Sequence, residues 1–174
     1  SAVGITLKIE IAAADFMRLK QRRRSLAGRT GCGLCGTESL EQVLRELEPL
    51  PAGEPFPLAA LYAGMRALPS LQGLQQATGA THAAGFAAAD GTLRWVREDL
   101  GRHNALDKAV GCALTEGVPL AECVLFTSGR VPVDMVRKAI RAGVPALVSK
   151  SMPTVQSLEL AEEYGLKLFI RQKK

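Results

Sequence analysis

Cys32 and Cys35, separated by two residues in Arg29-Thr30-Gly31-Cys32-Gly33-Leu34-Cys35-Gly36, are the strongest chemical signal in this sequence. Two thiols at that spacing can exchange protons, form a disulfide or supply half of a metal site, and glycines on both sides let the backbone expose them. Arg29 favours the thiolate, and a helix beginning after Thr37 would add the positive end of its dipole if it points at the loop. Zinc competes with thiolate chemistry. A structural zinc site needs a second ligand pair at short spacing, whereas Cys112 and Cys123 are separated by ten residues and neither His82 nor His103 has a partner three to five residues away. A thioredoxin-like role is disfavoured because the pair does not follow a strand and open a helix directly. Cys112 and Cys123 are expected to be small buried hydrophobes.

The second signal is Arg97-Glu98-Asp99-Leu100-Gly101-Arg102-His103-Asn104-Ala105-Leu106-Asp107-Lys108, at the junction of an expected strand and helix. Asn104 is a natural N-cap, and Asp107 in the first turn complements the dipole. Arg102 and His103 then fall just before the helix, where free N–H groups favour an anion such as a phosphate. Ser128-Gly129-Arg130 follows a strand and precedes another helix, the place where open α/β sheets put ligands. Gly129 permits close approach, Ser128 donates a hydrogen bond, and Arg130 offers a bidentate fork. Ser149-Lys150-Ser151 ends the next strand in the same way, so two polar tips can share one crevice. His82 opens a strand and either serves the fold or faces that crevice.

The elements that must position these residues are legible in the periodicity. Ile5, Leu7, Ile9 and Ile11 alternate with polar residues as a half-buried strand does, and Ala12 to Arg24 has a helical pattern. Ser25 to Gly36, with four glycines, is expected to be a loop. Ser39 with Gln42 resembles a capping box before an apolar stripe of Leu40, Val43, Leu44 and Leu47. Pro49 to Pro57 is a connector, followed by helices Leu58 to Leu68 and Ser70 to Ala77, broken at Pro69. Strands Thr81 to Ala88 and Thr92 to Glu98 flank the turn dipeptide Asp90-Gly91 and predict an antiparallel hairpin. From Asn104 the order is helix Asn104 to Thr115, strand Cys123 to Thr127, helix Val133 to Ala142, strand Ala146 to Ser149, helix Thr154 to Tyr164 and strand Lys167 to Ile170. That alternation predicts an α/β fold with a mixed, partly parallel sheet in a three-layer α/β/α sandwich.

Composition narrows the function classes. The 174 residues are 47% hydrophobic and 22% charged, which suits one globular domain and excludes a disordered or collagenous chain. The net charge of +5 is local. Arg18, Lys20, Arg22, Arg23, Arg24 and Arg29 lie in a stretch without an acid, and the other 16 bases face 17 acids. A defined anionic or acidic partner near that segment fits better than a surface built to grip nucleic acid. No stretch is long and apolar enough to span a membrane and no signal peptide is evident, so a cytoplasmic chain with reduced thiols is expected.

These blocks, with Thr81-His82-Ala83-Ala84 and Ala142-Gly143-Val144-Pro145, occur in this order in the formate dehydrogenase accessory sulfurtransferase family, FdhD, which the chain resembles from about Leu7 to Leu168. The resemblance implies a cytidine-deaminase-like α/β/α fold and a role in molybdenum or tungsten cofactor maturation. Members take sulfur from a cysteine desulfurase as a cysteine persulfide. They pass it to the molybdenum bis(molybdopterin guanine dinucleotide) cofactor, or its tungsten counterpart, that formate dehydrogenase needs. Carried over, Cys32 bears the persulfide and Cys35 assists. His82, Arg102, His103, Asn104, Ser128, Gly129, Arg130, Ser149 and Ser151 would contact the cofactor, for which guanosine diphosphate is a mimic. A non-catalytic chaperone for the same cofactor is the alternative. Zinc deaminases of this fold carry H-x-E and a later P-C-x-x-C. Here Ala84 stands where that Glu would be and the Cys pair comes earlier, so neither zinc nor deamination is expected. Family members have a longer N-terminal portion and a basic, glycine-containing C-terminal tail. This chain opens at Ser1 and ends Arg171-Gln172-Lys173-Lys174, basic but without glycine, so both portions are expected to be missing. Related proteins often pair, but no sequence feature fixes a homodimer.

Overall fold

A computed structural model describes residues 10–20, 47–52, 56–88 and 90–171. The chain divides into two compact units, Ser1–Glu46 and Leu47–Lys174. In the first, α1 spans Ala13–Lys20, with Arg18 3.6 Å from Asp15 one turn earlier, and Ile11, Phe16 and Met17 are exposed. Glu10 and Ile11 precede it without regular structure; the rest of the strand expected there, the glycine loop and the capping box lie outside the described residues.

The second unit is a five-stranded mixed sheet with helices. Helix α2 (Leu58–Ala67) runs into a 3-10 turn, Leu68–Leu71, and the short α3 (Gly73–Thr78). Strands β1 (His82–Ala87) and β2 (Leu93–Asp99) form the expected hairpin. They are followed by α4 (Arg102–Thr115), β3 (Val124–Thr127), α5 (Val133–Arg141), β4 (Ala146–Ser149), α6 (Val155–Glu163) and β5 (Lys167–Ile170). The sheet order is β2-β1-β3-β4-β5. The pairs β2-β1 and β1-β3 are antiparallel, whereas β3-β4 and β4-β5 are parallel. No described helix is long and apolar enough to cross a membrane.

Strand alternation divides the core. Ala84, Phe86, Leu125 and Leu147 face Leu106, Ala109, Met135, Val136 and Ala161 of α4, α5 and α6. Val124, Phe126, Ala146 and Val148, their chain neighbours, pack instead with Leu61 and Met65 of α2. Both faces of β3 and β4 are therefore buried, which is why these strands are apolar throughout. Gly64 lets α2 come this close: a Cβ there would stand 2.6 Å from the Phe126 ring.

Three expectations need correction. The chain continues through Pro69 as a 3-10 turn, because proline is tolerated at the first positions of a helical turn, and α3 starts only at Gly73. Helix α4 starts at Arg102, with Gly101 at the N-cap position, so Asn104 lies inside the first turn and caps nothing. The hairpin is also irregular: Ala84 pairs with Arg97 and Phe86 with Arg94, leaving Trp95 and Val96 opposite Gly85. Trp95 takes up the extra residue with φ of 52° and donates from Nε1 to Glu116 at 2.6 Å.

Candidate functional site

The sheet register brings the polar strand ends to one edge. His82 pairs with Asp99, Ala84 with Thr127, Thr127 with Ser149, and Ser149 with Ile170. The turn 128–130 after β3 and the turn 150–151 after β4 leave from that edge, and α4 begins there after β2. His82, Arg102, His103, Asn104, Ser128, Gly129, Arg130, Ser149 and Ser151 thus belong to one neighbourhood. Cys32 and Cys35 lie outside the described residues.

Within it, several side chains are engaged with the backbone. Ser128 Oγ accepts from the Ala83 amide at 2.8 Å, while the Ser128 amide donates to the Ala83 carbonyl. The fully buried Thr127 donates to the same carbonyl and accepts from the Gly129 amide. The Ser149 hydroxyl, also fully buried, donates to the Gly129 carbonyl at 3.1 Å and accepts from the Ser151 amide at 3.0 Å. These bonds fix the two turns relative to each other. Gly129 also has an unforeseen role. A Cβ there would meet Arg102 Cβ at 2.8 Å, so the close approach it permits is that of Arg102. Arg130 is exposed, and Arg102 and His103 are half-buried.

Asp99 shapes the start of α4. Its Oδ1 accepts from the Gly101 amide at 2.9 Å and from the Asn104 side chain at 3.2 Å, and its Oδ2 accepts from Lys108 Nζ at 2.6 Å. The Lys108 hydrogen bond and the Gly101 amide lower its pKa to about 2 against the opposing effect of burial. Glu98 does similar work for α3, accepting from the Leu74 and Gln75 amides at 2.8 Å and from Thr81 Oγ1 at 2.9 Å. Burial raises its pKa, but the three hydrogen bonds together outweigh that and lower it. His103 Nδ1 lies 2.9 Å from Asp134 Oδ2, off the line a hydrogen bond needs. Asp134 and Asp99 were missed as site residues. An acid in a first helical turn reads from sequence as a dipole complement, and only the packing of α4 on α5 reveals the imidazole beside Asp134.

Other features fall elsewhere. Cys123 is buried, and burial raises its pKa. Cys112 departs from the expected apolar stripe: it is half-buried, 2.7 Å from Arg97 Nη2 and 3.3 Å from Glu116 Oε1. Burial and the Glu116 contact raise its pKa. A pocket of about 130 Å³ opens on the α2 side of the sheet, between Leu58, Tyr62 and Met65 and the ends of β4 and β5 at Val148, Phe169 and Arg171. Arg102, His103 and Ser128 do not line it, so the polar edge rests on side-chain geometry and not on this cavity.

Comparison with known proteins then places the chain. Residues 3–174 match the model of the FdhD/NarQ family. Over 170 residues the chain is 51% identical to the sulfur carrier protein FdhD of Variovorax paradoxus, covering 97% of this chain and 61% of that protein. The protein of the same name from Cupriavidus necator is 47% identical over 97% of this chain and 59% of its own length. The chain thus spans about three fifths of these curated relatives. A crystal structure from Desulfotalea psychrophila, described as that of a formate dehydrogenase accessory protein, superposes with a TM-score of 0.68 at 32% identity, over 76% of this chain and 56% of that one.

Proposed function

From the premise that the chain belongs to the FdhD/NarQ family, we propose that it is a sulfur carrier serving formate dehydrogenase, with Cys32 as the residue that holds the sulfur. The single observation that carries the reading is the match of nearly the whole chain, with Cys32 and Cys35 inside it, to proteins named sulfur carrier protein FdhD. The donor is a cysteine desulfurase. The Cys32 thiolate attacks the terminal sulfur of the donor's persulfide, a sulfur–sulfur bond forms at Cys32, the donor's own sulfur–sulfur bond breaks, and the donor thiolate leaves. Arg29 and the neighbouring basic run favour the anionic form on which that attack depends.

The acceptor is the molybdenum or tungsten bis-guanine-dinucleotide cofactor, bound as cargo in the cytoplasm. Arg102, His103 and Arg130 supply positive or hydrogen-bonding groups for its diphosphates at the polar edge of the sheet. His82, Asn104, Ser128, Gly129, Ser149 and Ser151 shape that edge, several of them through the backbone bonds described above. The sheet with helices packed on both faces supports the finer reading of a three-layer, cytidine-deaminase-like fold, of which a homodimer would be a common form. Reconstitution tests the function. Formate dehydrogenase matured with this chain, cysteine and a desulfurase is expected to gain activity, and chain bearing Cys32→Ala to give none; equal activation by both contradicts sulfur carriage and leaves a cofactor chaperone.

A further inference from the structure

Helices α4 and α5 meet through two polar pairs one turn apart. His103 faces Asp134, and four residues along each helix Asp107 Oδ2 meets Lys138 Nζ at 2.5 Å. The outer pair is well exposed, with Asp107 at 59% and Lys138 at 30%, so it contributes little energy and mainly sets register. The inner pair is different. His103 and Asp134 keep 24% and 16% of their side-chain surface, and three of their atoms, His103 Nδ1, His103 Nε2 and Asp134 Oδ1, are buried with no hydrogen-bond partner among the described residues. A buried polar atom without a partner is destabilising, so its persistence calls for an explanation in function.

We propose that Asp134 is the positioning residue for His103. Its carboxylate holds the Nδ1 edge of the imidazole and leaves Nε2 as the atom that meets an anionic oxygen of a nucleoside diphosphate. The proposal rests on the reading above that His103 contacts the guanine-nucleotide cargo, and it adds the residue that orients that contact. A carboxylate beside Nδ1 favours the proton there and stabilises the imidazolium, so that Nε2, taking up a proton from solvent as the anion binds, donates to its oxygen. The terminal torsion of a histidine is broad, so ring rotation is the motion that aligns Nδ1 with Oδ2 and brings the buried Nε2 to the ligand. His103 stands in the first turn of α4 and Asp134 in the first turn of α5, so the ring sits where both helix N-termini already favour negative charge.

The competing account is that Asp134 merely complements the α5 dipole, and a double-mutant cycle with a ring-nitrogen spectrum separates the two. Asp134→Asn is nearly isosteric, and its thermal midpoint reports whether the fold survives. In the unmodified chain, long-range proton–nitrogen spectra are expected to show the neutral ring of His103 protonated at Nδ1, and in Asp134→Asn to show that preference lost. Asp134→Asn is expected to weaken guanosine diphosphate binding by about tenfold, and by less than about twofold in a His103→Gln background, where no imidazole remains to orient. An unchanged ring spectrum, or the same loss of affinity in both backgrounds, overturns the proposal. Absence of guanosine diphosphate binding to the unmodified chain overturns the cargo reading and the Nε2 contact with it, and the ring spectrum alone then decides the pairing of Asp134 with His103.

Discussion

Arg102 lies against Gly129 so closely that a methyl group added to Gly129 would stand 2.8 Å from Arg102 Cβ. The atom met is at the root of the side chain, so it cannot swing away as a guanidinium tip could. The start of α4 and the turn after β3 are fitted to each other, which makes the direction of Arg102 a property of the fold.

Gly129→Ala is therefore expected to move Arg102 and the first turn of α4. Overpacking of this kind costs about 1–3 kcal/mol. Calorimetric titration should show guanosine diphosphate binding weakened by about tenfold in protein that remains folded. Unchanged affinity would separate Arg102 from the ligand.

Ser149 and Arg130 should behave oppositely. Ser149→Ala removes the hydroxyl that serves the Gly129 carbonyl and the Ser151 amide, at a cost of about 1–3 kcal/mol in denaturant unfolding. Arg130 is exposed, so Arg130→Ala should alter stability by about 0.5 kcal/mol or less while weakening guanosine diphosphate. Comparable stability loss in the two variants would contradict the assignment of Ser149 to the scaffold.

Asp99 gives a pH signature. Its carboxyl titrates at about 2 when folded, below the ordinary 3.8 expected of the unfolded chain. A depressed acid adds stability that is complete above the unfolded value and is lost as pH falls through the folded one. The loss thus falls between about pH 4 and pH 2 and is on the order of 1 kcal/mol, since solvent screens a group with a fifth of its surface exposed. Asp99→Asn should flatten that part of the stability curve; an identical acid limb in both proteins would refute the account.

Gly64→Ala places a methyl group 2.6 Å from the Phe126 ring, which is itself fully buried and has no room to withdraw. Loss of about 1–3 kcal/mol is expected, with guanosine diphosphate affinity unchanged in the folded fraction.

Much of the second unit was legible in the sequence because its signals are local. Ala146 to Ser149 and Lys167 to Ile170 are short apolar runs between helical patterns and form β4 and β5 with those bounds. Asp90-Gly91 announced the β1-β2 hairpin. What escaped depends on partners far along the chain. The Ser128 hydroxyl reads as a free donor until Ala83, 45 residues earlier, is placed beside it, and Ser149 until Gly129, 20 residues earlier, is. The bulge at Trp95 has no turn residue to signal it. Asn104 looked like a cap because the carboxylate that organises the α4 start, Asp99, belongs to the preceding strand.

The central claim is that Cys32 carries sulfur, and intact-protein and peptide mass spectrometry after incubation with a cysteine desulfurase and cysteine tests it most directly. The account predicts the added mass of one sulfur atom on the peptide containing Cys32, removed by a reductant and absent from Cys32→Ala. An unmodified Cys32 under conditions in which the desulfurase turns over, or an equal adduct on Cys32→Ala, would contradict it.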